Sequence, residues 1–126
     1  DADADGVGRG ECDCDDGNGQ IWGRPGEVRN VRFTSGTAFA WDSPIEPGAT
    51  LPRYDVIRSL SARDLVWAAT CVESDDAADT AATDAGAPAV GSTFYYLVRA
   101  EDSCASGAGP LGVSRSFLAR TARSCP

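Results

Sequence analysis

From residue 28 onward, short runs of alternating apolar and polar residues are separated by clusters of Gly, Pro, Asp and Ser, the pattern of antiparallel strands joined by turns. Seven strands are predicted. The strongest is 93–101, where Phe94, Tyr96, Val98 and Ala100 share one face and Tyr95, Leu97 and Arg99 the other. In 53–60, Tyr54, Val56 and Arg58 oppose Asp55, Ile57 and Ser59, and in 37–42 Phe39 and Trp41 point the same way. Stretches 28–33, 65–72, 80–84 and 114–121 complete the set, the first patterned weakly enough for a sheet edge. Ser43-Pro44, Glu46-Pro47-Gly48, Ala87-Pro88 and residues 107–110 supply turns. No stretch keeps a 3.6-residue period over the length of a helix, and 60–67 allows at most one turn.

Before this patterned part lies a different kind of text. Residues 1–20 hold Asp1, Asp3, Asp5, Glu11, Asp13, Asp15 and Asp16 among glycines, with little apolar material beyond Val7 and the cysteines, so this stretch buries no core of its own. The predicted organisation is an acidic, Cys-containing leader over 1–25 and an all-β sandwich over 26–126. Carboxylates at every second position before a glycine let a tight turn aim several hard oxygens at one Ca²⁺. Asp1, Asp3, Asp5 and Asp13 are the expected side-chain ligands and Val7 lends its carbonyl; the closing carboxylate is Glu11 or Asp13, and Asp13, Asp15, Asp16 and Asn18 close that site or build a second. The plain alternative is a solvated acidic tail.

Charge and cysteine usage narrow the chemistry. The 126 residues include 19 acidic and 11 basic side chains, a net charge of −8, and every basic residue is Arg. With no His and no Lys, the chain lacks the side chains for a Ser-His-Asp or Cys-His nucleophile, an imidazole-held zinc, a Schiff-base lysine or a Walker A loop. An acidic chain with no basic face is repelled by nucleic acid. No apolar run approaches the roughly 20 residues of a membrane span. Five cysteines without a CxxC pair point to disulfides, hence to an extracellular or cell-surface setting. Asp75-Asp76 reads as a turn rather than a catalytic pair.

Trp41-Asp-Ser-Pro44, then Gly48, Tyr54-Asp-Val56 and Phe94-Tyr-Tyr-Leu-Val98-Arg-Ala100 together resemble a fibronectin type III domain over about residues 26–122. Phe94 stands where that family carries a corner tyrosine, so Tyr95 or Tyr96 would have to supply the hydroxyl. The leader, Asp1-Ala-Asp3-Ala-Asp5-Gly6-Val7-Gly8 followed by Cys12-Asp13, resembles a unit of a thrombospondin type 3 calcium repeat, with Arg9 where a further Asp is usual. The fibronectin-like topology implies that the fourth and sixth strands run parallel and end at one pole, which pairs Cys71 with Cys104. Cys12, Cys14 and Cys125 are then left over.

The resemblance and the charge asymmetry together lead to a function. Seven acids lie in residues 1–16, whereas Arg115, Arg120 and Arg123 lie in an acid-free tail, and the two are expected at opposite poles. Such termini favour a head-to-tail contact that does not close, with Cys12 or Cys14 of one copy bridged to Cys125 of the next. The expected function is a non-enzymatic, calcium-stabilised structural module that assembles with copies of itself or with other surface proteins, in a filament or in adhesion. The alternative is a spacer or carbohydrate-binding module of a larger secreted protein, for which Trp22 and Trp67 should form an exposed pair.

Overall fold

The computed structural model describes residues 17–77, 79–103, 108–112 and 118–126. Six strands are present, β1 (Arg29–Phe33), β2 (Ala38–Asp42), β3 (Arg53–Ser59), β4 (Ala69–Asp76), β5 (Ala81–Thr83) and β6 (Tyr95–Glu101), and no helix occurs among the described residues. None of them is therefore a helix able to cross a membrane. The strands form two antiparallel sheets of three, in the orders β1-β2-β5 and β4-β3-β6.

The period-2 pattern sets the inner core. Phe39 and Trp41 from β2, Tyr54 and Val56 from β3, and Val98 and Ala100 from β6 are buried together with Val28 and Ala82. Their rings meet at angles: Phe39 and Tyr96 have centroids 5.0 Å apart, and Trp41 meets the Tyr54 ring edge-on at 5.4 Å. Such tilted contacts suit aromatic quadrupoles better than face-to-face stacking. As its weak patterning predicts, β1 lies at a sheet edge and is exposed throughout.

The second sheet is buried on both faces, and the alternation does not foretell this. Asp55, Ile57 and Ser59 face away from the inner core yet are fully buried or nearly so. Ile57 and the Asp55–Arg99 pair lie under residues 118–126, which cross the outer face of β4-β3-β6 as a strap, and Ser59 is covered by residues 61–68. The Arg123 N–H donates to the Leu65 carbonyl and its guanidinium to the Ala69 carbonyl. Ser74 Oγ donates to the Pro126 carbonyl. Ala122 and Cys125 pack on Ile57, Ala69, Leu65 and Cys71 as a second, small core.

Two expectations are corrected here, and a third lies partly outside the described residues. The fourth strand starts four residues later than its apolar pattern suggests, at Ala69 rather than 65. Asp64 is the reason: its Oδ1 accepts the N–H groups of Val66 and Trp67, while Ser59 Oγ donates to its carbonyl, so the chain turns where the pattern reads as strand. Asp75 and Asp76 close β4 rather than forming a turn, because β4 carries two extra residues relative to β3 and so reaches Asp76 where it pairs with Tyr54. Of the predicted strand 114–121, residues 114–117 lie outside the described residues and 118–121 belong to the strap.

The segment before β1 is fastened to the β2–β3 loop. Ile21 bridges Ala49, the Thr50 N–H donates to the Gln20 carbonyl, and the Trp22 and Gly23 N–H groups share the Gly48 carbonyl. Gly48 has φ 72°, and a Cβ there would collide with the backbone of residues 23–25, so only glycine fits this crossing.

Candidate functional site

Polar side chains concentrate on the strap-covered face. Asp55 of β3 and Arg99 of β6 are directly opposite in the ladder, and both lie on the outer face. The Asp55 side chain is 0% exposed and that of Arg99 7%, and Arg99 Nη2 donates to Asp55 Oδ2 at 2.8 Å. Asp75 reaches the same place from β4 through its bulge. With φ 54° it turns its N–H onto Asp55 Oδ1 at 3.1 Å, and its carboxylate faces Arg53 Nη1 at 3.4 Å. Glu101 adds a third carboxylate, 4.0 Å from Arg99 Nε.

Carboxylate oxygens of Asp55, Asp75 and Glu101 thus lie within 4.8 Å of one another. Two guanidinium groups face three carboxylates, so one negative charge is in excess. Glu101 absorbs it by holding its proton: burial, the hydrogen bond it shares with Asp75, and the charges of Asp55 and Asp75 push its carboxyl up to about 8, against the pull of Arg99. Glu73 behaves alike, raised by burial and by the charges of Asp76 and Asp79. Arg99 and Arg53 supply cationic partners to this cluster. What the geometry holds is a charge-balanced lock with one shared proton, and its members do not converge on an open cleft.

A second polar network ties the sheets together at the other pole. Asp84 accepts two bonds from Arg58 Nη1, at 2.7 and 3.0 Å, one from the Tyr96 hydroxyl at 2.9 Å and one from the Gly86 N–H at 2.9 Å. Burial opposes its ionisation, but the bonds from Gly86, Arg58 and Tyr96 keep its carboxyl below the usual range. The Arg58 guanidinium also lies 4.4 Å above the Phe94 ring centroid. Tyr96 therefore carries a hydroxyl contact that Phe94 cannot make, and its partner is a side-chain carboxylate.

The structure distributes the expected site residues unevenly. Asp1, Asp3, Asp5, Val7, Glu11, Cys12, Asp13, Cys14, Asp15, Asp16 and Cys104 lie outside the described residues. Asn18 is described, and its Oδ1 accepts the Gln20 N–H in a local turn. Cys71 is bonded to Cys125 and not to Cys104. The late start of β4 explains the change: Cys71 sits near the beginning of the strand, level with Leu97, whereas β6 ends at Glu101, level with Arg53 at the far end of β3. Cys125 is consequently engaged within its own chain, which overturns the expected bridge from Cys12 or Cys14 to the Cys125 of a neighbour.

The tryptophans also part company. Trp22 hangs from Gly48 at the Arg53 end of β3, and Trp67 follows Ser59 at the opposite end, 90% exposed. They form no paired platform. The buried cluster escapes sequence reasoning because Asp55 and Arg99 sit at positions that alternation assigns to solvent. One signal was present: Ile57 shares their face, and an isoleucine on a supposedly wet face implies a cover. No family model, curated protein or solved structure matches the chain.

Proposed function

We propose that this chain is a non-enzymatic, extracellular structural module: a fibronectin III-like sandwich sealed by a disulfide and preceded by a calcium-binding leader. The observation that carries the reading is the Cys71–Cys125 bridge, with Cα atoms 5.9 Å apart, joining the strap to the second sheet. Disulfides persist in oxidising compartments, and this one closes a loop of about 55 residues, worth about 4 kcal/mol by chain-entropy reasoning. The sheet orders support the fibronectin-like topology, since β4 and β6 both flank β3 and run parallel to each other.

A structural role is further supported by how the buried charges are used. Asp55, Arg99, Asp84 and Arg58 are bonded to one another or to backbone, and the bonds of Asp55 to Arg99 and Asp75, of Arg99 to Arg123 and of Arg58 to Asp84 each join two strands or a strand to the strap or a loop. For the leader, the spacing of Asp1, Asp3, Asp5 and Asp13 supports Ca²⁺ binding, with Val7 lending a carbonyl.

Peptide mapping of unreduced protein tests the first half. The fragments carrying Cys71 and Cys125 are expected to be recovered linked, and recovery of both as free thiols removes the ground for an oxidising compartment. Calorimetric titration of metal-stripped protein tests the second. Heat of binding together with a raised melting temperature at millimolar Ca²⁺ is expected, because a ligand of the folded state stabilises it by mass action. No heat and no shift leaves the leader an acidic tail.

A further inference from the structure

Two adjoining hollows of this acidic molecule are lined by arginine without a carboxylate; in the smaller, Arg99 is already paired with Asp55 and Arg24 with the Ala108 carbonyl, which leaves the larger groove. It lies between the loop at 62–65, the start of β6 and the strap at 118–121, and encloses about 760 Å³. Leu65, Leu97 and Leu118 give it apolar walls, Tyr95 stands at 41% exposure, and Arg63 and Arg120 are its charged residues. No carboxylate lines it among the described residues. In a chain of net charge −8, two exposed arginines without a lining acid mark a local reversal of sign.

We propose that this groove receives the acidic leader, residues 1–16, of a second copy of the chain. Charge selects the occupant: the leader presents seven carboxylates against the single Arg9, on a backbone whose Ala2, Ala4 and Val7 are small enough to lie against leucine and tyrosine walls. Position selects the second copy. The leader joins the fold at residues 17–21, which are fastened to the Arg53 end of β3, whereas the groove opens near the Ser59 end, where Tyr95 pairs with Ser59. To fill its own groove the leader would have to double back along the length of β3, about 20 Å. Reaching a neighbour's groove requires no reversal, and repetition of that contact makes an open, head-to-tail chain. The contact is non-covalent, since Cys125 is already bonded to Cys71. It rests on the reading of this protein as a structural module; Ca²⁺ held by Asp1, Asp3, Asp5 and Asp13 would lower the charge that the groove meets, so the titration below is run in chelator on the unreduced protein and fails separately from the metal and thiol measurements above.

The experiment titrates a synthetic peptide of residues 1–16, with Cys12→Ser and Cys14→Ser, into the intact protein, followed by sedimentation of the intact protein alone over a range of concentrations. Saturable binding that weakens as salt is raised is expected, together with larger species at higher concentration. Arg63→Gln combined with Arg120→Gln should weaken peptide binding at least tenfold and remove the larger species. Arg29→Gln combined with Arg32→Gln, an equal loss of charge on β1, should change both less than twofold. All four arginines are exposed, so the variants keep the fold, and circular dichroism verifies this. Equal binding to the groove variant and wild type, equal weakening by the two double variants, or a protein that stays monomeric at every concentration would overturn the proposal.

Discussion

The two faces of the β4-β3-β6 sheet are held by different physics. On the inner face, Tyr54, Val56, Val98 and Ala100 join Phe39 and Trp41 in a core stabilised by area removed from water, where contacts are numerous and individually replaceable. On the outer face, Ile57 and Ala69 are covered by little more than Ala122, Leu65 and one disulfide, and the largest buried side chain nearby is an arginine. That face depends on a few specific bonds: Arg99 to Asp55, the Arg123 guanidinium to the Ala69 carbonyl, Cys71 to Cys125. A core made of area degrades gradually under substitution. A cover made of specific bonds fails when one partner is lost.

The sharpest way to break the inner face is Trp41→Ala. Trp41 is 1% exposed and touches the Phe39 and Tyr54 rings, so truncation removes a large buried surface and leaves a cavity between the sheets. A loss of about 5 kcal/mol, the upper end for such substitutions, is expected in urea unfolding. Trp41→Phe should cost much less, because the indole Nε1 is buried without a hydrogen-bond partner and its loss strands no acceptor. If the two variants unfold at the same denaturant concentration, the inner face is not held by area.

The outer face answers to a different pair of variants. Arg99→Leu leaves Asp55 buried without its cation and should cost about 3 kcal/mol, whereas Asp55→Leu combined with Arg99→Leu should recover most of that. Hydrogen exchange at the Arg123 N–H locates the effect, since that group is bonded to Leu65 under the same strap. An additive double variant would show that the two side chains are not a coupled pair.

These two faces were unequally legible in the sequence. Alternation in 37–42, 53–60 and 93–101 marks Phe39, Trp41, Tyr54, Val56 and Val98 as a shared inner face, and the core forms from them because a period of two needs no knowledge of what lies elsewhere. The outer face depends on residues 118–126 returning over β3, a contact between positions more than sixty apart. Alternation within a strand cannot encode the return of a distant segment. The late start of β4 hid for a related reason: Leu65, Val66 and Trp67 read as strand, but the Asp64 side chain competes for their backbone and wins. That four-residue delay moves Cys71 to the other pole and changes its partner. The carboxylate cluster was hidden in turn, since Asp75 reaches Asp55 only through a bulge.

The effect most specific to the outer face is a dependence on pH. Glu101 has an ordinary carboxyl value of 4.5, which in the folded protein rises to about 8, mainly through burial and then through Asp75 and Asp55. Between these values the folded state holds a proton that the unfolded chain has released. Stability should therefore be greatest at or below about pH 4.5 as far as this group is concerned, fall as pH rises, and level off above 8. Glu101→Gln fixes the protonated form in a neutral side chain that still donates to Asp75, so its stability should not follow that decline. Melting temperatures at pH 5, 7 and 8.5 should agree for the two proteins at the lowest value and separate progressively, with the variant the more stable at pH 8.5. The chain has no histidine to add a slope of its own, and the rise at Glu73 is common to both proteins and cancels in the difference. The inner face offers a control, because Trp41→Phe removes no titrating group and should shift the wild-type curve without changing its shape. Parallel curves for wild type and Glu101→Gln would mean that the excess charge beside Arg99 is not relieved by a proton on Glu101, and the charge-balanced lock would lose its third member.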